Sequence, residues 1–120
     1  GGKELNVPNI TFTINTAEIT EASDIALDKV MRLMKKYPNM IIEFGAHTDS
    51  RGPDAYNLNL TKSRATATVD NLIERGLDPR RITGKGYGET QPLNKCVNGV
   101  TCTDLQYLGD KRTEFVVIKK

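Results

Sequence analysis

Residues 40–44, with the sequence Met-Ile-Ile-Glu-Phe, form a short apolar run that directly follows a helical pattern. A strand this apolar is typical of the centre of a sheet. The helix before it has Thr20 as its expected N-cap and ends at Pro38, and its apolar face repeats at helical spacing through Leu27, Val30, Met31 and Met34. The short link between helix and strand forces the two elements to pack closely together.

Alternation and turn signals predict the remaining elements. Residues 10–14 alternate apolar and polar side chains, which predicts a first strand with one buried face. A second helix is expected to begin with Thr61 as its cap, which would place Arg64 in the first turn, and to end at Gly76. Its inward stripe comprises Ala65, Val69, Leu72 and Ile73.

Two further strand patterns lie in the last third of the chain. Residues 84–88 read as a short strand or bend, in which alternate glycines let the backbone pass close to a neighbouring element. Residues 89–109 carry only loop signals, and residues 113–118 form a strongly apolar last strand.

The order strand, helix, strand, helix, strand, loop, strand predicts an α/β sandwich of α+β type. Written as βαβαβ(β), it has two main helices packed on one face of a mixed sheet. Right-handed crossovers would bring the end of the second strand and the start of the second helix to the same edge of the sheet. Because ligands often bind beyond the carboxyl ends of strands, a binding site is expected at that edge.

Composition is consistent with a single domain over residues 1–120. The chain is 38% hydrophobic and 27% charged, and its formal net charge is +2, without a basic stripe that would favour nucleic acid. No apolar run approaches the roughly 20 residues that span a bilayer. Gly1 and Gly2 are interpreted as a cloning remnant of an excised domain, so any membrane contact is expected through an anchor or barrel of the parent protein.

The two cysteines, Cys96 and Cys102, lie six residues apart in a polar loop. Their spacing favours a local disulfide, which would indicate an oxidising compartment. Two free thiols in a cytosolic protein are the alternative. A zinc site is disfavoured, because two thiols need two more ligands and the single histidine, His47, lies in a distant segment.

A turn rich in polar residues follows the second predicted strand. It carries Thr48 and Asp49, and Arg64 follows 15 residues after the aspartate. A carboxylate can hold a cation and a guanidinium can hold an anion, so the pair would suit a small ligand bearing both charges. Exposed pairs of this kind are also common as ordinary surface charges, and as such contribute only about 0 to 1 kcal/mol.

Catalytic interpretations of the same residues are weaker. His47 has no serine or cysteine nucleophile in an elbow-type motif around it. Gly84, Gly86 and Gly88 do not match a dinucleotide fingerprint, because the spacing is wrong and no helix follows. Asp49 and Asp54 could be imagined as glycosidase carboxylates, but no apolar residue lies nearby to raise either pKa. We therefore expect no enzyme, no metal and no cofactor.

The stretch from the Thr48-Asp49 turn to Asn57, Leu60, Thr61, Arg64 and Ala65 resembles the OmpA-like family of peptidoglycan-binding domains. In that family a Thr-Asp-x-x-Gly turn leads to Asn-x-x-Leu-Ser-x-x-Arg-Ala, and here Thr61 replaces the usual serine. The resemblance extends over residues 10–118. It includes a Gly-x-Gly-Glu turn at residues 86–89 and a segment at residues 110–114 similar to Asn-Arg-Arg-Val-Glu. Lys111 and Ala46 depart from the pattern.

The resemblance implies both a site and a function. Asp49 and Arg64 would clasp meso-diaminopimelate of the peptidoglycan stem peptide, Asn15, Thr48 and Asn57 would add polar contacts, and Leu60 would shape the pocket. The implied function is non-catalytic. The domain would tether an outer-membrane protein, lipoprotein or motor stator to the cell wall, in the periplasm of a Gram-negative bacterium.

Two alternatives stay open at this point. One is a structural or protein-interaction domain that uses the loop from Cys96 to Cys102 for a protein partner. The other, less favoured, is a cell-wall hydrolase.

Overall fold

The computed structural model describes residues 3–91, 102–103 and 111–120. Within these ranges, two helices and three strands follow one another in the order α1 (Asp24–Lys36), β1 (Ile41–His47), α2 (Asp54–Glu74), β2 (Ile82–Gly88) and β3 (Arg112–Lys119). Short 3-10 turns precede α1 at Glu21–Ser23 and β2 at Pro79–Arg81.

The described strands form one mixed sheet in the order β2-β1-β3. Strand β1 is central, parallel to β2 and antiparallel to β3, with Phe44 opposite Gly84 on one side and Phe115 on the other. Alternate β1 side chains, Ile42, Phe44 and Ala46, are buried beneath the helices. The predicted fold class, with two helices on one face of a mixed sheet, is therefore confirmed.

Helix α1 buries the expected face, but it begins only at Asp24, after a 3-10 turn, and Thr20, the expected cap, makes no capping hydrogen bond. Leu27, Val30 and Met34 are almost inaccessible to solvent, and Met31 packs at the edge of the core. The helix ends at Lys36, two residues before Pro38. Lys35 and Lys36 lie in its last turn, where positive charge is favourable.

Helix α2 packs directly on β2 through the glycines of that strand. A Cβ atom at Gly86 would lie 2.5 Å from the carbonyl carbon of Thr61, and one at Gly84 would lie 2.8 Å from the Val69 side chain. The sequence prediction that these glycines permit a close backbone approach is confirmed. This approach fixes the first half of α2 beside the carboxyl end of β1, where Ala46 pairs with Gly86.

The predicted strand at residues 10–14 does not join the sheet, so this prediction is wrong. Phe12 forms only an isolated bridge with Ile19, and Ile14 is 83% exposed. The Ile10 backbone N–H donates to the Thr113 hydroxyl at 2.7 Å, so a side chain takes the place of a strand partner there. Residues 3–5 instead hydrogen-bond to β3 through the backbone, with an isolated bridge between Glu4 and Val116.

The predicted start of the second helix is also wrong. Helix α2 begins at Asp54, directly after Pro53, so Thr61 is an interior residue and Arg64 lies about three turns in. The buried Thr61 hydroxyl is within donor distance of the Asn57 and Leu58 carbonyls, at 3.0 and 2.9 Å, and accepts the Gly88 N–H at 2.9 Å. It therefore joins α2 to the end of β2 rather than capping a helix.

Several sequence predictions fall outside the described residues. These are the pairing of Cys96 with Cys102, most of the 89–109 loop with its proposed role in protein interaction, and Asp110 of the last motif. The disulfide therefore stays a prediction. Within the described ranges, neither helix combines the length and the apolar composition that crossing a bilayer requires.

Candidate functional site

A cleft of about 660 Å³ opens beyond the carboxyl end of β1. Its walls come from residues 9–15, the turn after β1, the first half of α2 and the start of β3. All six side chains that the sequence analysis selected for ligand binding line this cleft: Asn15, Thr48, Asp49, Asn57, Leu60 and Arg64. The structure thus brings together residues that are as many as 49 positions apart in the chain.

Asp49 supplies a buried carboxylate to the cleft. The residue is 5% exposed, and both carboxylate oxygens accept hydrogen bonds from Arg51. Oδ1 accepts the backbone N–H of Arg51 at 2.8 Å, and Oδ2 accepts its guanidinium at 2.8 Å. A short polar turn therefore holds the acid in one orientation.

Asn57 fixes this turn against α2. The side-chain amide of Asn57 donates to the Arg51 carbonyl at 3.0 Å and lies 3.4 Å from the Asp49 carbonyl. Gly52 has φ +90°, a backbone conformation that favours glycine, and it lets the chain bend sharply between Arg51 and the helix. Asn57 is thus a positioning residue for Asp49 in addition to lining the cleft.

Arg64 supplies a partly buried guanidinium from the middle of α2. Its Nε donates to the Thr16 carbonyl at 2.8 Å, and the guanidinium lies 4.9 Å from the ring centroid of Phe12. Burial lowers the pKa of Arg64 from its ordinary value, but an arginine stays protonated at neutral pH. Among the described residues, its two terminal nitrogens donate no hydrogen bond, so they can receive an anion.

Arg64 lies well inside α2, away from the start of the helix. Because the residue is not in the first turn of α2, the free backbone N–H groups of the helix start cannot support an anion beside it. Asp49 and Arg64 also form no ion pair with each other, since Asp49 binds Arg51 and Arg64 binds Thr16. The charges face one cleft as separate groups.

Thr48, Asn15 and Leu60 complete the predicted set. The Thr48 backbone N–H donates to the Gly88 carbonyl at 2.8 Å, while its buried hydroxyl has no hydrogen-bond partner in the described part of the chain. Asn15 has φ +59°, which is uncommon for a residue other than glycine, and it lies at the tip of an exposed turn. Leu60 adds apolar surface one turn before Arg64.

Several groups that shape the cleft were not predicted from the sequence. Phe12 and the Thr16 carbonyl hold Arg64 in place, and Arg51 binds Asp49. Of these, only the contact of Arg51 could have been inferred from the sequence. The same Asp-x-Arg spacing recurs at Asp78 and Arg80, which form the same pair of hydrogen bonds. Lys111 and Arg112 also line the cleft, so the charged side chains that the described residues contribute to it are one acid and four bases.

His47 lies outside the cleft, on the sheet face opposite the helices. Its ring stacks on Tyr87 with centroids 4.8 Å apart, and its Nε2 donates to Glu114 at 2.6 Å. Burial of the ring lowers the pKa of His47 to about 4, and the positive charge of Arg112 adds to the shift. Tyr87 in turn donates to Glu43 at 2.6 Å, so a polar network covers this face. The described residues contain no group of three or more potential metal ligands.

The His47 environment predicts a loss of stability in acid. Between about pH 6.5 and pH 4 the unfolded chain protonates this histidine while the folded chain does not, so the free energy of unfolding falls as the pH is lowered. The expected loss from this group is up to about 3 kcal/mol. Urea titrations across this pH range should show a flatter profile for His47→Gln than for the wild type. Parallel profiles would contradict the assignment of a neutral buried imidazole.

Comparison with known proteins settles the family. The sequence model of the OmpA family matches residues 11–101, which is most of the chain. The chain belongs to the OmpA family. The match includes the turn after β1 and helix α2, which carry five of the six predicted site residues, and it also includes Asn15.

Two of the relatives are envelope proteins by name. The chain is 34% identical over 93 residues to the peptidoglycan-associated lipoprotein of Rhizobium meliloti, which is 78% of this chain and 52% of the lipoprotein. It is 47% identical over 60 residues to outer membrane porin F of Pseudomonas fluorescens, covering 50% of this chain and 18% of the porin. The chain spans between 11% and about half of the length of the first curated relatives that it matches.

Solved structures show the same fold. The crystal structure of the peptidoglycan-associated lipoprotein from Burkholderia pseudomallei superimposes with a TM-score of 0.76, covering 92% of this chain and 89% of that chain. Sequence identity to that structure is 20%, so the likeness concerns the fold alone. The agreement extends over almost the full length of both chains.

Proposed function

We propose that this OmpA-family domain is a non-catalytic binding module for peptidoglycan. The observation that carries the proposal is one cleft with a buried carboxylate and a half-buried guanidinium whose terminal nitrogens have no partner among the described residues. Groups of opposite charge that face a shared cleft without pairing with each other suit a zwitterionic ligand. The name of the Rhizobium relative supports peptidoglycan as the source of that ligand.

Within peptidoglycan, we propose the free end of meso-diaminopimelate in the stem peptide as the bound group. Its ammonium would bind Asp49 and its carboxylate would bind Arg64. Thr48 and Asn15 offer further polar groups at the wall of the cleft, and Leu60 offers apolar surface to the methylene chain. Each charge-assisted hydrogen bond contributes on the order of 1.5 to 3 kcal/mol when it is partly desolvated.

Weak binding of one such group is sufficient for a tether. Peptidoglycan repeats the ligand, and an envelope that holds many copies of the parent protein would bind by avidity. We place the domain in the periplasm, linked to the outer membrane of a Gram-negative bacterium through other parts of its parent protein. The porin and lipoprotein relatives support that location.

Co-sedimentation with purified peptidoglycan tests the proposal. Asp49→Asn removes the charge proposed to bind the ligand ammonium, and Arg64→Gln removes the charge proposed to bind its carboxylate. Each substitution is expected to weaken binding roughly tenfold or more. The matched controls are Asp78→Asn and Arg80→Gln, which alter a pair of the same type that does not line the cleft. Circular dichroism verifies that each variant is folded. If the cleft variants sediment like the two controls, the assignment of the site is wrong.

A further inference from the structure

We propose that the Arg51 guanidinium occupies the position on the Asp49 carboxylate where the ammonium group of a ligand would bind. The ligand must therefore displace this guanidinium. This inference rests on the proposed function, because it concerns the same cleft. It goes further in naming a residue of the chain that competes with the ligand and so sets the affinity of the site.

Contacts at Asp49 support this inference. The carboxylate is 7% exposed and both of its oxygens already accept a hydrogen bond, so an ammonium group meets an occupied acceptor. One of the two bonds comes from the backbone N–H of Arg51, which the turn and Asn57 hold in place. The other comes from the guanidinium at Oδ2, which therefore is the group that can leave.

The exposure of Arg51 lowers the free-energy cost of breaking its guanidinium contact with Asp49. Its side chain is 49% exposed, so the released guanidinium can be hydrated, whereas Asp49 has little access to water. A pair with one partner so exposed is weak and is screened by salt. A ligand that also binds Arg64 gains a second charge-assisted contact that the internal pair does not have, so it can replace the guanidinium.

The pair formed by Asp78 and Arg80 gives an internal comparison. There the Arg80 backbone N–H and guanidinium bind the carboxylate at 2.9 and 2.7 Å, nearly the same arrangement as at Asp49. The Asp78 side chain is 38% exposed and does not line the cleft. The same hydrogen-bonded turn thus occurs twice among the described residues, and of the two copies only the one at Asp49 places its carboxylate in the cleft.

Titration of the domain with free meso-diaminopimelate, followed by amide chemical shifts, tests the inference. Arg51→Gln keeps the backbone N–H and removes the competitor, so we expect its dissociation constant to fall roughly two- to fivefold below that of the wild type. Arg80→Gln loses the same charge at the matched pair and should bind like the wild type.

Two further comparisons separate displacement from a general change of charge. Lys111→Gln removes a positive charge from the same cleft without a hydrogen bond to Asp49, so it should not tighten binding. Glutarate carries two carboxylates and no ammonium, and its affinity should not rise in Arg51→Gln. Tightening by Lys111→Gln as large as that by Arg51→Gln, or tightening towards glutarate, would overturn the inference.

Failure of this inference is distinguishable from failure of the proposed function. If the wild type binds meso-diaminopimelate and Arg51→Gln binds equally or more weakly, Arg51 is not a competitor, and the binding function stands. If neither protein binds meso-diaminopimelate or peptidoglycan, both proposals are wrong.

Discussion

Replacing Gly86 by alanine should cost the domain about 3 kcal/mol or more of its free energy of unfolding. The new Cβ atom would lie 2.5 Å from the Thr61 carbonyl carbon and closer still to the Lys62 backbone nitrogen. These are backbone atoms of α2, which cannot rotate away as a side chain would. The helix must therefore move off the sheet, and the cleft residues that it carries must move with it.

Alanine at Gly76 is the control for this prediction. Gly76 has φ +112° and nothing within 4 Å of its Cβ position, so alanine there costs only backbone strain, about 1 to 2 kcal/mol. Gly86 has no such positive φ, and its cost is purely steric. Urea denaturation of the three proteins, monitored by circular dichroism, measures both costs. Equal losses for the two variants would contradict the direct backbone contact.

Peptidoglycan that contains lysine in place of meso-diaminopimelate should bind roughly tenfold to hundredfold more weakly. Lysine keeps the side-chain ammonium that Asp49 would bind but lacks the adjacent carboxylate. Arg64 would then stay in the cleft with its terminal nitrogens unpaired by any described residue, and its partial burial makes that loss more costly than at an open surface.

Arg64→Gln provides the control for this preference. If Arg64 binds the ligand carboxylate, the variant should bind both types of peptidoglycan with similar, low affinity. The effects of peptidoglycan type and of the substitution on the binding free energy should then be strongly non-additive. Measured co-sedimentation isotherms for two proteins on two walls give this coupling directly. Equal binding of the wild type to both walls would falsify diaminopimelate recognition, although it would leave peptidoglycan binding intact.

Much of the fold was predictable because its signals are local. The apolar run at residues 40–44 and the helical spacing of Leu27, Val30 and Met34 each determine one element without reference to distant parts of the chain. The glycines at 84 and 86 also revealed their function, since a residue without Cβ in a strand commonly marks a close approach.

The errors concern residues whose partners are distant or polar. Residues 10–14 alternate like a strand, but the Thr113 hydroxyl and the 18–20 segment take the hydrogen bonds of this stretch. At the start of α2, Asp54, Asn57 and Asn59 have low helix propensity, so the sequence pattern did not predict the first two turns of this helix. Asn57 lies there because its side chain is needed to hold the turn around Asp49.

Part of the lining of the cleft was predictable from the sequence, but its geometry was not. The family resemblance led to six of the residues that line the cleft. It gave no indication that Phe12 and Thr16 orient Arg64, because these contacts depend on how an exposed turn folds over α2.

The direct seating of α2 on β2 has a mechanical consequence. Asn57, Leu60 and Arg64 belong to the same helix whose backbone touches Gly86, with no layer of side chains in between to yield under load. If Arg64 binds peptidoglycan as proposed, tension on the peptidoglycan would be transmitted through α2 to the parallel strands β2 and β1. The load would there be distributed over several backbone hydrogen bonds.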